Sequence, residues 1–253
     1  MIHGDTDGIA HGTGTFASRS TVLAGGAAIL SARAVKEQVF KAAAHIFETN
    51  PIDLDAVAGQ IFVKGTDRRM SYRQLAKALY SEMGRFPKQL REEISLEATR
   101  MYDPIFGTTS PASHLAMVEV DRGTYGVSIL HYSAADDCGR VINPLIVDGQ
   151  VHGGVAQGIG VALMEEVVYD ASGQILTASL LDYVVPSAVE VPNMSVQHVQ
   201  LHIPDNLGGI RGMGEGGTIG APAAIANAIA DALGRDINEL PVTPERIFRL
   251  FQD

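Results

Sequence analysis

Apolar side chains recur at helical spacing between residues 21 and 48, at Ile29, Ala32, Val35, Val39, Phe40 and Ala43. That spacing predicts one long helix, capped by Ser20 or Thr21 and stopped by Asn50-Pro51. Residues 59–64 read as a strand, and Ser71 opens a shorter helix to about Ser81. Residues 82–112 are polar and proline-punctuated without a strong period, and read as a long excursion. Two β-like runs, 114–121 and 125–133, flank Asp121-Arg-Gly-Thr124 as a hairpin. A helix follows Asn143-Pro144, over about 148–166. It carries Gly149, Gly153, Gly154, Gly158 and Gly160, each costing about 1 kcal/mol relative to alanine, so close packing against another backbone or a ligand is expected. Residues 166–186 read as a second hairpin about Asp170-Ala-Ser-Gly173, and 195–203 as another strand. A glycine loop over 207–219, a helix over 220–234 and a short helix from Thr243 complete the pattern. Helices and strands that do not alternate regularly give an α+β fold class.

Composition narrows the function classes. Hydrophobic residues make up 46% and charged residues 19%, ordinary for a globular chain of 253 residues. The formal charge of −10 argues against a nucleic-acid partner, since nothing here neutralises a run of phosphates. No apolar run is long enough for a membrane span. Cys138 is the single cysteine, which rules out an intrachain disulfide and fits a reducing compartment. The first residues lack the basic and apolar regions of a signal peptide, so the cytoplasm is expected. Ile2-His-Gly-Asp-Thr-Asp7 reads as the exit of a strand whose partners are elsewhere, which points to a fragment or a split subunit.

Three stretches carry candidate chemistry. In the Gly/Thr/Ser/Asp-rich loop 3–19, Gly12-Thr-Gly-Thr-Phe-Ala-Ser-Arg-Ser-Thr21 enters the long helix. Hydroxyls and Arg19 at a helix N-terminus suit an anion, or else simply a capped helix after a loop. The stretch is neither a Walker A motif nor a Rossmann fingerprint. Asp136-Asp-Cys-Gly-Arg-Val-Ile-Asn-Pro144 then precedes Gly149-Gln-Val-His-Gly-Gly154 and Gln157-Gly158, whose amides suit a ligand with ring nitrogens and carbonyls. His152 reads as a packed histidine, Cys138 as a small buried residue, and Asp5 and Asp7 as turn and cap residues; no metal-ligand set is evident. Third, Arg211-Gly-Met-Gly-Glu-Gly-Gly-Thr218 sets Glu215 among four glycines in six residues, either as a reactive carboxylate or within a plain surface loop. Burial in an apolar loop would raise the Glu215 pKa toward the range useful to a general base.

In order and spacing, these stretches, with Leu181-Asp-Tyr-Val-Val-Pro186 between them, resemble the molybdopterin-binding large subunit of the xanthine dehydrogenase/aldehyde oxidase family. The nearest branch is the bacterial one that includes aerobic carbon monoxide dehydrogenase large chains, and the resemblance covers nearly the whole chain. It implies a molybdopterin-binding domain of mixed sheets and packed helices, with a molybdenum cofactor in the cytosine dinucleotide form. The glutamate matching Glu215 is then the catalytic base. Residues matching Gly14, Thr15, Phe16, Ala17, Ser18, Arg19, Ser20 and Thr21 bind the cofactor phosphates, and those matching Cys138, Asn143, Gln150 and Gly214 line the rest of it. The implied reaction is C–H hydroxylation of an aldehyde or N-heterocycle with oxygen from water.

Such large subunits are several-fold longer, so the resemblance implies the C-terminal portion only. An N-terminal molybdopterin-binding chain would complete the site, and 2Fe-2S and FAD subunits would carry electrons away. Residues 1–112 would form the first part of the cofactor region, and 113–253 the part with the pterin-lining helix and the Glu215 loop. Gly216-Gly217 look more like the general hydroxylases than the carbon monoxide enzymes. The rival expectations are a non-catalytic remnant or assembly subunit, and a plain nucleotide-binding module.

Overall fold

The computed structural model describes residues 4–8, 12, 14–104, 108–204 and 206–252. Of the loop read over 3–19, residues 3, 9–11 and 13 lie outside the described residues, as do Met1 and Ile2. Contacts group the chain into two units, Leu23–Asp103 and the pair of segments Met1–Val22 and Pro104–Asp253. The sequence partition at residue 112 follows motif content instead; by contacts, the 14–21 stretch joins the C-terminal segment.

The long helix α1 spans Ser20–Phe47. In Leu23–Asp103 it is followed by an antiparallel sheet of β1 (Leu54–Val57), β2 (Gln60–Val63) and β3 (Arg69–Ser71), in that order. The expected strand is β2. Its neighbours are only three or four residues long and carry no alternation that announces them; Ala58 and Gly59, at φ 48 and 79°, make the tight turn between β1 and β2. Helix α2 (Tyr72–Ser81) starts with a capping box. The Ser71 hydroxyl accepts from the Gln74 N–H at 3.2 Å, and the Gln74 side chain accepts from the Ser71 N–H at 2.8 Å. A further short helix, α3 (Lys88–Glu93), lies within the excursion. The core gathers Ala42, Ala43, Phe47, Leu54, Ile61, Leu75 and Phe86. Gly26 of α1 meets the Tyr102 ring so closely that a Cβ would lie 2.0 Å from it.

The other unit is built on a three-stranded sheet in the order β4 (Ala112–Val120), β5 (Val127–Asp136) and β6 (Met194–His198). Strands β4 and β5 pair antiparallel, with a bulge between Met117 and Val118, and β6 runs parallel to β5. Asp121 makes the hairpin: its Oδ1 accepts from the Gly123 and Thr124 N–H groups at 2.9 and 2.7 Å. Strand β6 stops at His198, short of residue 203, because β5 ends at Asp136 and offers no ladder beyond the Val199–Asp136 bond. The second expected hairpin reduces to a bridge, Tyr169 with Ile175, around the Asp170 turn.

Helices α4 (Pro144–Leu163), α5 (Gly216–Leu233) and α6 (Pro244–Arg249) complete this unit. Pro144 at the first turn starts α4 earlier than its periodic pattern suggests. Helix α5 begins at Gly216, not near 220: Gly216-Gly217 belong to its first turn rather than to a loop. Some glycines of these two helices have a packing reason, whereas Gly149 and Gly153, also expected to pack closely, face open space. A Cβ on Gly217 would lie 2.6 Å from the Val151 carbonyl oxygen, one on Gly154 2.9 Å from the Gly217 Cα, and one on Gly158 2.4 Å from the Ala221 Cβ. The expected close approach is therefore helix backbone against helix backbone. The core includes Tyr132, Val155, Ile159, Ile225, Ile229 and Ile247. On the sheet's other face Leu115, Met117 and Leu130 are each more than half exposed. Among the described residues no helix is long and apolar enough to cross a membrane.

Candidate active site

The three motif stretches meet in the unit containing α4 and α5. Asp137, buried, ties the second to the third: its Oδ1 accepts from the Gly139 N–H at 2.9 Å and its Oδ2 pairs with the Arg211 guanidinium. The Arg211 N–H donates to the Cys138 carbonyl at 2.7 Å and the Arg140 N–H to the Gly209 carbonyl at 2.8 Å. Gly139, at φ 66°, is needed there, since a Cβ would lie 2.4 Å from the Gly209 carbonyl oxygen. The first stretch enters through two consecutive left-handed residues, Ala17 and Ser18, at φ 50 and 51°.

A cavity of about 410 Å³ results, lined by Thr15, Ser18, Ser20, Thr21, Cys138, Arg140, Ile142, Asn143, Ile146, Val147, Gln150, Gly212 and Gly214 among others. The start of α1 at Ser20 lies on this cavity with the positive end of its dipole. A second, open cavity of about 530 Å³ is lined by Gln150, Gly153, Gly154, Gln157, Gly214, Glu215, Thr218 and Ile219. The two share Gln150 and Gly214, joined by a bond from the Gln150 amide to the Gly214 carbonyl at 2.6 Å. Glu215 caps α5 in position, yet its own carboxylate makes no capping bond. It is exposed on the rim.

Behind α5, His114 of β4 packs against Gly220, where a Cβ would lie 2.5 Å from the ring. Its Nδ1 lies 2.7 Å from the hydroxyl of the fully buried Tyr132. Burial holds the His114 pKa below its ordinary value, against the opposing Gly216 carbonyl and Asp136 charge, and burial pushes the Tyr132 phenol up. The imidazole is thus held between the Tyr132 hydroxyl and the Gly216 carbonyl. At the far end of β5, His198 bridges Asp136 at 2.9 Å and Asp148 at 2.7 Å. Burial alone would lower the His198 pKa, but its bonds and charge contacts with Asp148 and Asp136 hold it above its ordinary value.

Of the residues expected to bind a cofactor, Thr15, Ser18, Ser20, Thr21, Cys138, Asn143, Gln150 and Gly214 line the first cavity. Gly14, Phe16, Ala17 and Arg19 are not among its lining residues; the Arg19 guanidinium lies over the Phe16 ring, 3.5 Å from its centroid. Two cations line the cavity, Arg140 and Arg211, the latter paired with Asp137; neither was among the expected cofactor-binding residues. Gln157 and Thr218 likewise join the second cavity; Gln157 sits seven residues after Gln150, two turns along one face of α4. Cys138 is buried, and burial pushes its thiol up, so it is inert packing. His152 is exposed, and Asp5 accepts from the Asp7 N–H at 2.9 Å as a turn residue. Among the described residues no group of three or more His, Cys, Asp and Glu side chains comes together to hold a metal ion.

Residues 1–192 match the molybdopterin cofactor-binding domain family. The chain belongs to that family. It is 43% identical over 256 residues to the gamma subunit of the 6-hydroxypseudooxynicotine dehydrogenase complex of Paenarthrobacter nicotinovorans, covering 98% of this chain and 31% of that protein. It is 34% identical to the carbon monoxide dehydrogenase large chain of Hydrogenophaga pseudoflava, covering 99% and 31%. Quinoline 2-oxidoreductase from Pseudomonas putida 86 superposes with a TM-score of 0.89 at 39% identity, over 96% of this chain and 31% of that one. This molybdopterin-binding chain thus spans about 31% of the length of the relatives it matches.

Proposed function

We propose that this chain is the C-terminal portion of the catalytic subunit of a molybdenum hydroxylase that oxidises an N-heterocycle or an aldehyde with water as the oxygen source. The observation that carries the reading is the junction of a hydroxyl-lined cavity with the Glu215 cavity at Gln150 and Gly214. The donor set fits a molybdopterin dinucleotide, for which the cytosine form is proposed. Thr15, Ser20 and Thr21 at the α1 N-terminus, with Arg140, suit its phosphates, and the Gln150 amide suits a pterin ring. Gly153 leaves open the space beside it that a side chain would fill. When bound, the group supplies two-electron oxidation. Glu215, on the cavity rim at the first turn of α5, takes up the proton that water must lose to become the nucleophile.

Similarity to the quinoline enzyme favours an N-heterocycle over carbon monoxide. An N-terminal molybdopterin-binding chain completes the site, and 2Fe-2S and FAD subunits accept the electrons, in the cytoplasm. Glu215→Gln in the assembled enzyme should retain molybdenum and lose about 10²- to 10⁴-fold in quinoline turnover. Retained turnover sinks the base assignment. A chain that acquires no molybdenum, by elemental analysis, when co-expressed with the product of the neighbouring upstream gene is instead a non-catalytic remnant.

A further inference from the structure

We infer that Ser18 is a positioning residue for Glu215, holding that glutamate at both its backbone and its carboxylate; the inference rests on the base reading above. The Ser18 hydroxyl accepts from the Glu215 N–H at 3.0 Å and donates to the Glu215 Oε2 at 3.3 Å. A serine hydroxyl has one proton to give, so this geometry commits it to the glutamate and takes it from the anion cradle. The approach is built from both sides. Two consecutive non-glycine residues, Ala17 and Ser18, occupy the costly left-handed region to turn the hydroxyl inward. Opposite them, a Cβ on Gly212 would lie 2.2 Å from the Ser18 carbonyl oxygen, and one on Gly214 3.1 Å from its hydroxyl. The glycines flanking Glu215 on its N-terminal side thus make room for Ser18.

The contact has a definite effect on the carboxylate. Short acidic caps such as aspartate fold back to accept from the first free N–H groups, whereas the longer glutamate is not among the favoured caps. The Glu215 carboxylate makes no capping bond, and its Oε2 accepts from the Ser18 hydroxyl instead. Without the hydroxyl, the carboxylate loses that tether and samples other rotamers at the cavity rim.

The test uses Ser18→Gly, which relaxes the left-handed backbone, and Ser18→Cys, which keeps a weak donor of similar shape. In the full chain, hydrogen exchange at the Glu215 amide should accelerate at least about 10-fold in Ser18→Gly and less in Ser18→Cys. In the assembled enzyme, molybdenum content should be unchanged, with kcat for quinoline down about 10- to 100-fold and KM within about two-fold. The double variant with Glu215→Gln should be no slower than Glu215→Gln alone. Unchanged amide exchange overturns the contact, and molybdenum lost in step with activity makes Ser18 a cofactor ligand instead. If Glu215→Gln alone turns over normally, the base reading fails, and the exchange measurement still decides whether Ser18 holds the loop.

Discussion

In Leu23–Asp103 the packing is of side chain on side chain: Phe47, Ile61, Leu75 and Phe86 meet in a core where each partner has bulk to contribute. Between α4 and α5 it is of backbone on backbone, with Gly154, Gly158 and Gly217 holding the helices closer than any Cβ allows. The first arrangement tolerates rotamer adjustment. The second does not, because a main-chain carbonyl has nowhere to turn. The difference shows where position matters: the rigid seam lies beneath Glu215 and Gln150, and the adaptable core lies where no expected site residue resides.

The largest effect should come from the side-chain core. Leu75→Ala should cost about 2–5 kcal/mol in urea denaturation, with hydrogen exchange rising across Leu23–Asp103. Next, Gly217→Ala should cost about 1–3 kcal/mol despite adding a single methyl, because it meets the Val151 carbonyl. Gly149→Ala, on the same helix system but facing open space, should gain up to about 1 kcal/mol. Equal responses at Gly217 and Gly149 would break the comparison. The smallest effect is in pH. His198, held above its ordinary value near 6.5, adds stability that is full below that pH and fades as pH rises through its folded value. His114, depressed, adds stability above 6.5 that fades as pH falls through its folded value. Urea midpoints across pH should therefore lose their alkaline decline in His198→Gln and their acid decline in His114→Gln.

What was legible in the sequence was local. The apolar period of α1, the Ser71 capping box and the Asp121 turn each declare themselves within a few residues. Where α5 begins was not legible, because glycines read as loop until a second helix is known to press on them. The cations on the first cavity show the same limit: Arg140 and Arg211 stand 71 positions apart in the chain and line one cavity only once the fold brings their motifs together. The family resemblance singled out Ser18 and Glu215 separately. Their contact, across 197 residues, exists only in three dimensions.

The outer face of the sheet carries a last consequence. Leu115, Met117 and Leu130 stand bare beside β4, an edge strand whose outward N–H and C=O groups form no ladder with another described strand. An apolar patch next to an unpaired edge is a template for self-association. That face is therefore the part of this unit most open to a further strand or apolar surface.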